Sequence, residues 1–174
     1  QEAWGLDLFN DKGKCAACHI SEPGPNGEPP LFTDFTYDNL GVPRNPENPF
    51  YTMSAEINPD GDAWLDTGLG GYLESVGQPE EVYMAEWGKV KVPTLRNVAL
   101  RPSANVVKAF THNGYFKTLE DVVHFYNTRD VGDWPEPEIA ENVNTEELGN
   151  LGLTPEEEEA IVTFMETLSD GYQP

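Results

Sequence analysis

Two cysteines three residues apart, with a histidine directly behind the second, constrain this chain more than any other feature: Cys15-Ala16-Ala17-Cys18-His19. A disulfide across so short a spacing belongs mainly to redox sites where the pair sits at a helix start after a strand. No strand-like run precedes Cys15, and a histidine follows at once. A structural zinc would want a further pair of cysteine or histidine ligands. The chain has two cysteines and three histidines in all. What remains is C-x-x-C-H, the attachment signature of c-type haem.

The spacing has a physical reason. Two cysteines three apart at a helix start reach the two vinyl groups on one edge of a porphyrin. The next residue then points its imidazole at the iron. The expectation is one covalent haem c on Cys15 and Cys18, with His19 as proximal ligand. Composition agrees with a cofactor-filled core. Only 38% of the 174 residues are apolar, and Gly (16) and Pro (15) are abundant, so the chain is loop-rich. A large apolar cofactor supplies core that side chains would otherwise provide.

Acids outnumber bases 31 to 10, a net charge of -21. Such a surface repels nucleic acid and anionic lipid, and it attracts a basic protein partner in a salt-dependent way. No run approaches the roughly 18 apolar residues of a membrane span. The opening Gln1-Glu2, running straight into an amphipathic segment, has the look of a processed N-terminus.

Along the chain, residues 3–10 predict a short helix that ends near Asp11–Gly13. Residues 21–30 are loop by composition. Residues 31–92 lack a sustained period. They predict extended pieces and turns, with one short strand around Phe32–Tyr37 and one short helix over 80–87. A helical turn or two fits 93–100. Residues 117–127 predict a helix capped by Thr118, with Leu119, Val122, Val123 and Tyr126 on one face. Residues 130–153 read as acidic loop. The last helix starts at Thr154 (N-cap) and Pro155, buries Ala160, Ile161, Phe164, Met165 and Leu168, and stops at Gly171. Asn58-Pro59-Asp60-Gly61-Asp62 reads as a plain turn before it reads as a cation site. The whole is a single mainly α domain over 1–174. It resembles a class I cytochrome c fold around one haem, with a loop-rich insertion over about 21–92.

The resemblance narrows after residue 90. Val92–Asn97 (VPTLRN), Phe110–Gly114 (FTHNG) and Thr118–Asn127 (TLEDVVHFYN) resemble the C-terminal haem domain of the bacterial di-haem cytochrome c peroxidase and MauG family. The stretch over 32–45, FTDFTYDNLGVPRN, is similar to that family too. Those peroxidases carry two haem domains and two C-x-x-C-H motifs; this chain has one. Their calcium lies between the domains and is not carried over.

The sixth iron ligand separates an electron carrier from an open, ligand-binding site. By the resemblance, Tyr126 falls where the peroxidases place a distal Met and MauG a distal Tyr. It is the leading candidate, against a buried core tyrosine as the plain alternative. Met53 and Met84, in the irregular middle, are the competing candidates. Met165 reads as core, His112 as a structural residue near the haem edge, and His124 as a surface or half-buried histidine. With one haem and no acid/base pair beside it, the leading expectation is a periplasmic electron carrier that docks redox partner proteins. The alternative is a peroxidase or MauG-like haem enzyme, or a subunit of one. A ligand sensor is the third reading.

Overall fold

The computed structural model describes residues 1–103 and 105–171. Five α-helices and one two-residue ladder make a mainly helical fold: α1 (Glu2–Asn10), β1 (Tyr37–Asp38), α2 (Gly68–Ser75), α3 (Glu80–Ala85), β2 (Val90–Lys91), α4 (Leu119–Thr128) and α5 (Pro155–Glu166). Three 3-10 turns occupy Cys15–Ala17, Pro49–Thr52 and Gly61–Ala63. No helix among the described residues is long and apolar enough to cross a membrane.

The two ends of the chain meet in the core. α1 lies across α5, and the crossing is close because residue 5 is glycine. A Cβ there would stand 1.9 Å from the Ala160 carbonyl oxygen. Phe9, Phe32 and Phe164 pack edge to face around the crossing, Phe9 and Phe164 with ring centroids 5.2 Å apart. Ala160, Ile161, Val162, Phe164 and Met165 are buried along α5. Its N-terminus carries a full capping box: Thr154 accepts from the Glu157 amide, and the Glu157 carboxylate accepts from the Thr154 amide. The helix proper ends at Glu166, a turn before Gly171.

α4 packs beside α5, capped by Thr118, whose hydroxyl accepts from the Asp121 amide at 3.1 Å. Its buried residues include Leu119 and Val123, as the period requires. Phe125, fully buried, lies outside the predicted stripe. It faces the other way, into a ring cluster with Phe116 and Trp134, so α4 is covered on two sides.

The irregular middle is more ordered than its composition suggests. The expected strand over 32–37 is displaced: Tyr37 and Asp38 pair antiparallel with Lys91 and Val90. Phe32 and Phe35 hold φ of 52° and 63°, which breaks any extended run before Tyr37. α2 arises where clustered glycines argue against a helix. Packing explains it: a Cβ at Gly70 would stand 2.5 Å from the Trp87 Cα, so the glycine face lets α2 seat against the end of the α3 segment. α3 matches the expected helix over 80–87, two residues shorter. Residues 93–100 form a turn closed by Val98 N–H to Leu95 O and Leu100 N–H to Asn97 O.

The crossing gives a direct stability test. Gly5→Val forces a branched side chain into the Ala160 backbone and should cost about 3 kcal/mol or more. Urea melts read by far-UV circular dichroism measure it. An unchanged midpoint would mean that α1 does not touch α5 as described.

Candidate haem site

Immediately after α1 the chain turns sharply into the cysteine motif. Lys14 takes a left-handed conformation (φ 53°) and leads into the 3-10 turn Cys15–Ala17. The His19 amide donates back to the Cys15 carbonyl at 2.9 Å, which places His19 on the same side as the two thiols. His19 Nδ1 donates to the Phe32 carbonyl at 2.8 Å. That bond fixes the tautomer and leaves Nε2 free to ligate a metal. Burial lowers the His19 pKa, against the raising pull of the Phe32 carbonyl. The ring is therefore neutral, the form that binds iron.

Cys15, Cys18 and His19 line one apolar cavity of about 430 Å³. Phe9, Ile161 and Met165 wall it from the crossed helices, and Leu95 and Val98 from the turn after β2. Volume and lining suit a cofactor, since such sites are apolar with a few convergent polar groups. Burial pushes the Cys15 and Cys18 thiols up to about 12, with the Glu147 and Asp38 carboxylates adding to the effect at Cys18. Cys18, Asp38 and Glu147 do form a small cluster with ligand atoms within 4.8 Å of one another. Asn144 donates to both carboxylates, at 2.5 and 2.8 Å, which accounts for their proximity.

α4 brings Tyr126 into the same cavity. No hydrogen bond ties its hydroxyl to any described residue. Tyr126 is half-buried and lines the cavity, which places it to meet a group held there. Burial raises the Tyr126 pKa, with the nearby cysteines and Asp38 adding to it and Arg129 opposing. Met53 and Met84 are 44% and 37% exposed and lie away from the cavity. Met165 is buried and does line it. His124 lies outside, paired with Glu158 at 3.1 Å. The Asn58–Asp62 segment is a turn whose Asn58 amide donates to the Phe50 and Gly61 carbonyls.

His112 also reaches the cavity wall, on the tight loop closed by the Phe110 amide to the Phe116 carbonyl at 2.9 Å. Its Nε2 lies 3.5 Å from Glu138, whose side chain is 2% exposed. Asn113 Nδ2 donates to the same carboxylate at 2.8 Å. Nothing in the local sequence around Glu138 marks it; it sits in the acidic loop among many carboxylates. The Phe32 carbonyl is likewise invisible to a reading by residue type.

Glu138 makes stability depend on pH. Burial favours its neutral form, but donors from His112 and Asn113 outweigh burial and hold the carboxyl below its ordinary range. A depressed carboxyl stabilises the fold above its unfolded pKa, and that contribution is lost as pH falls through the folded value. Melting temperatures at descending pH should fall from near the ordinary Glu value of about 4.3. The fall should be shallower for Glu138→Gln; parallel curves would contradict this account.

Known proteins match nearly the whole length of this chain. The chain is 33% identical over 187 aligned residues to the methylamine utilization protein MauG of Paracoccus denitrificans (strain Pd 1222), covering 99% of this chain and 43% of that protein. It is 32% identical to cytochrome-c peroxidase IdrP1 of Denitromonas iodatirespirans, covering 95% of this chain and 39% of the other. A variant of the diheme peroxidase BthA from Burkholderia thailandensis E264 superposes with a TM-score of 0.74 at 29% identity, over 98% of this chain and 42% of that one. No family model matches the chain. In sequence and in fold the chain is similar to MauG, cytochrome-c peroxidases and a diheme peroxidase, and it spans about two fifths of the length of the relatives it matches.

Proposed function

We propose that the chain is a haem c domain of a peroxidase- or MauG-type enzyme, the half that relays electrons. In this reading Cys15 and Cys18 would hold one haem by thioether bonds, and His19 and Tyr126 would be the residues that ligate its iron. A haem held there supplies one-electron chemistry at iron. The chain's own residues bind and orient it. The Phe32 carbonyl fixes the His19 ring, the crossed helices exclude water, and Tyr126 fills the position that peroxide or another small ligand would need. The observation that carries the reading is that Tyr126 lines the same apolar cavity as Cys15, Cys18 and His19.

A freestanding shuttle uses the same site. The relatives favour a part of a larger haem enzyme, because the chain matches only about two fifths of each. Haem attachment of this type takes place outside the cytoplasm, so the reading places the protein in the periplasm. The net charge of -21 suits a basic redox partner, with an association rate that falls as salt rises.

Expression in a bacterium that matures c-type cytochromes tests this. The intact mass should exceed that of the bare chain by one haem, and Cys15→Ser with Cys18→Ser should abolish the addition. Tyr126→Phe should open the iron, giving a high-spin ferric spectrum and carbon monoxide binding in the reduced protein. Peroxide turnover should rise above a wild-type level close to that of free haem. A Tyr126→Phe spectrum identical to wild type would remove Tyr126 as ligand and leave the haem assignment standing.

A further inference from the structure

Behind His112 the protein builds a hydrogen-bonded chain that the relay reading does not require. Glu138 stands at its centre. The carboxylate lies 3.5 Å from His112 Nε2 and accepts from Asn113 Nδ2 at 2.8 Å. Tyr51 donates its hydroxyl to the other carboxylate oxygen at 3.4 Å. Arg44 Nε in turn donates to the Tyr51 oxygen at 3.1 Å, with the guanidinium 4.2 Å over the Tyr51 ring. Arg44 reaches the surface, where it pairs with exposed Asp62. Four side chains thus run from the cavity wall to solvent.

The loop that presents His112 is held against its own preference. Thr111 adopts φ 67°, a left-handed conformation that β-branched residues avoid. Its neighbours impose it. Asn45 Nδ2 donates to the Asn113 carbonyl at 2.9 Å, and Asn113 Nδ2 donates to the Pro43 carbonyl at 2.9 Å. Strain of order 1–3 kcal/mol persists where the surroundings over-determine it, and it concentrates at functional sites.

We propose that Glu138 is a positioning residue: it orients and polarises His112 toward the cofactor and so sets the cofactor's reduction potential. The proposal rests on the haem reading above. A carboxylate on Nε2 fixes the ring and directs Nδ1, which has no partner among the described residues, away from Glu138. Tyr51 and Asn113 occupy the rest of the carboxylate, so His112 is its link to the cavity wall. His112 then acts on the charge that the cofactor gains when it is reduced.

A double-mutant cycle on the haem-loaded protein tests this, with the midpoint potential as readout. Glu138→Gln keeps an acceptor for Asn113 and removes the charge. Its potential shift should change in size or sign once His112→Leu is present. Tyr51→Phe alters no net charge and removes the hydroxyl that meets the Glu138 oxygen on the side away from His112. Its shift should be present with His112 and lost with His112→Leu, and it keeps the test available if Glu138→Gln does not fold. Equal shifts in both backgrounds, or no shift from Tyr51→Phe, would overturn the proposal. Absence of haem in the purified protein would instead sink the haem reading, so the two failures are distinct.

Discussion

Gly5 lets α1 rest on the backbone of α5 at Ala160, and the cofactor cavity is built out from that contact. The crossing brings Phe9 against Phe164 and turns Ile161 and Met165 toward the space where the cysteine motif arrives. The motif follows α1 after only four residues, so its placement is set by where α1 ends. The first and last helices therefore do two jobs with one interface. They close the chain on itself, and they form the apolar wall behind the cysteines. A chain with 38% apolar residues has little core to spare, and a cofactor in this cavity would complete it.

Burial in that cavity also decides the protonation of its polar groups. Desolvation keeps His19 neutral and both thiols protonated. It holds the Tyr126 phenol neutral as well, so that only a cation inside the cavity offsets the cost of a phenolate. The same burial leaves an apolar pocket with few polar groups, which would suit an iron porphyrin. Arg129, itself buried and paired with Asp130, supplies the one lowering influence at Tyr126.

The parts of the structure written in contiguous residues were legible. The C-x-x-C-H motif, the Thr118 and Thr154 caps and the apolar stripe of α5 are local patterns with local physical causes. That Tyr126 lines the cavity was legible because helical period put it on the apolar face of its helix. What escaped was decided by distant chain. α2 forms although Gly68, Gly70 and Gly71 weaken it, because Trp87 needs a glycine surface to pack on. The strand moved to Tyr37–Asp38 because Phe32 and Phe35 turn the backbone left-handed. Met53 and Met84 were indistinguishable from ligands by type, yet the middle segment leaves both exposed. Glu138, one acid among 31 acidic residues, becomes distinctive only when His112 and Tyr51 are folded against it.

Of the six non-glycine residues with positive φ among the described residues, three adjoin the cavity. These three have side chains that disfavour positive φ, and each stands beside a group on the cavity wall. Lys14 precedes Cys15, Phe32 supplies the carbonyl that fixes His19, and Thr111 precedes His112. Each is pinned by contacts from elsewhere. The Phe32 ring is locked among Phe9 and Phe164, and the neighbouring Thr33 hydroxyl donates to the Val92 carbonyl at 2.7 Å. Relaxing Phe32 to an ordinary conformation would turn its carbonyl away from His19 and free the imidazole to rotate. The strain is therefore the cost of aiming groups at a fixed point from three separate loops. It is tolerable only because the α1–α5 crossing and the surrounding turns hold those loops rigid.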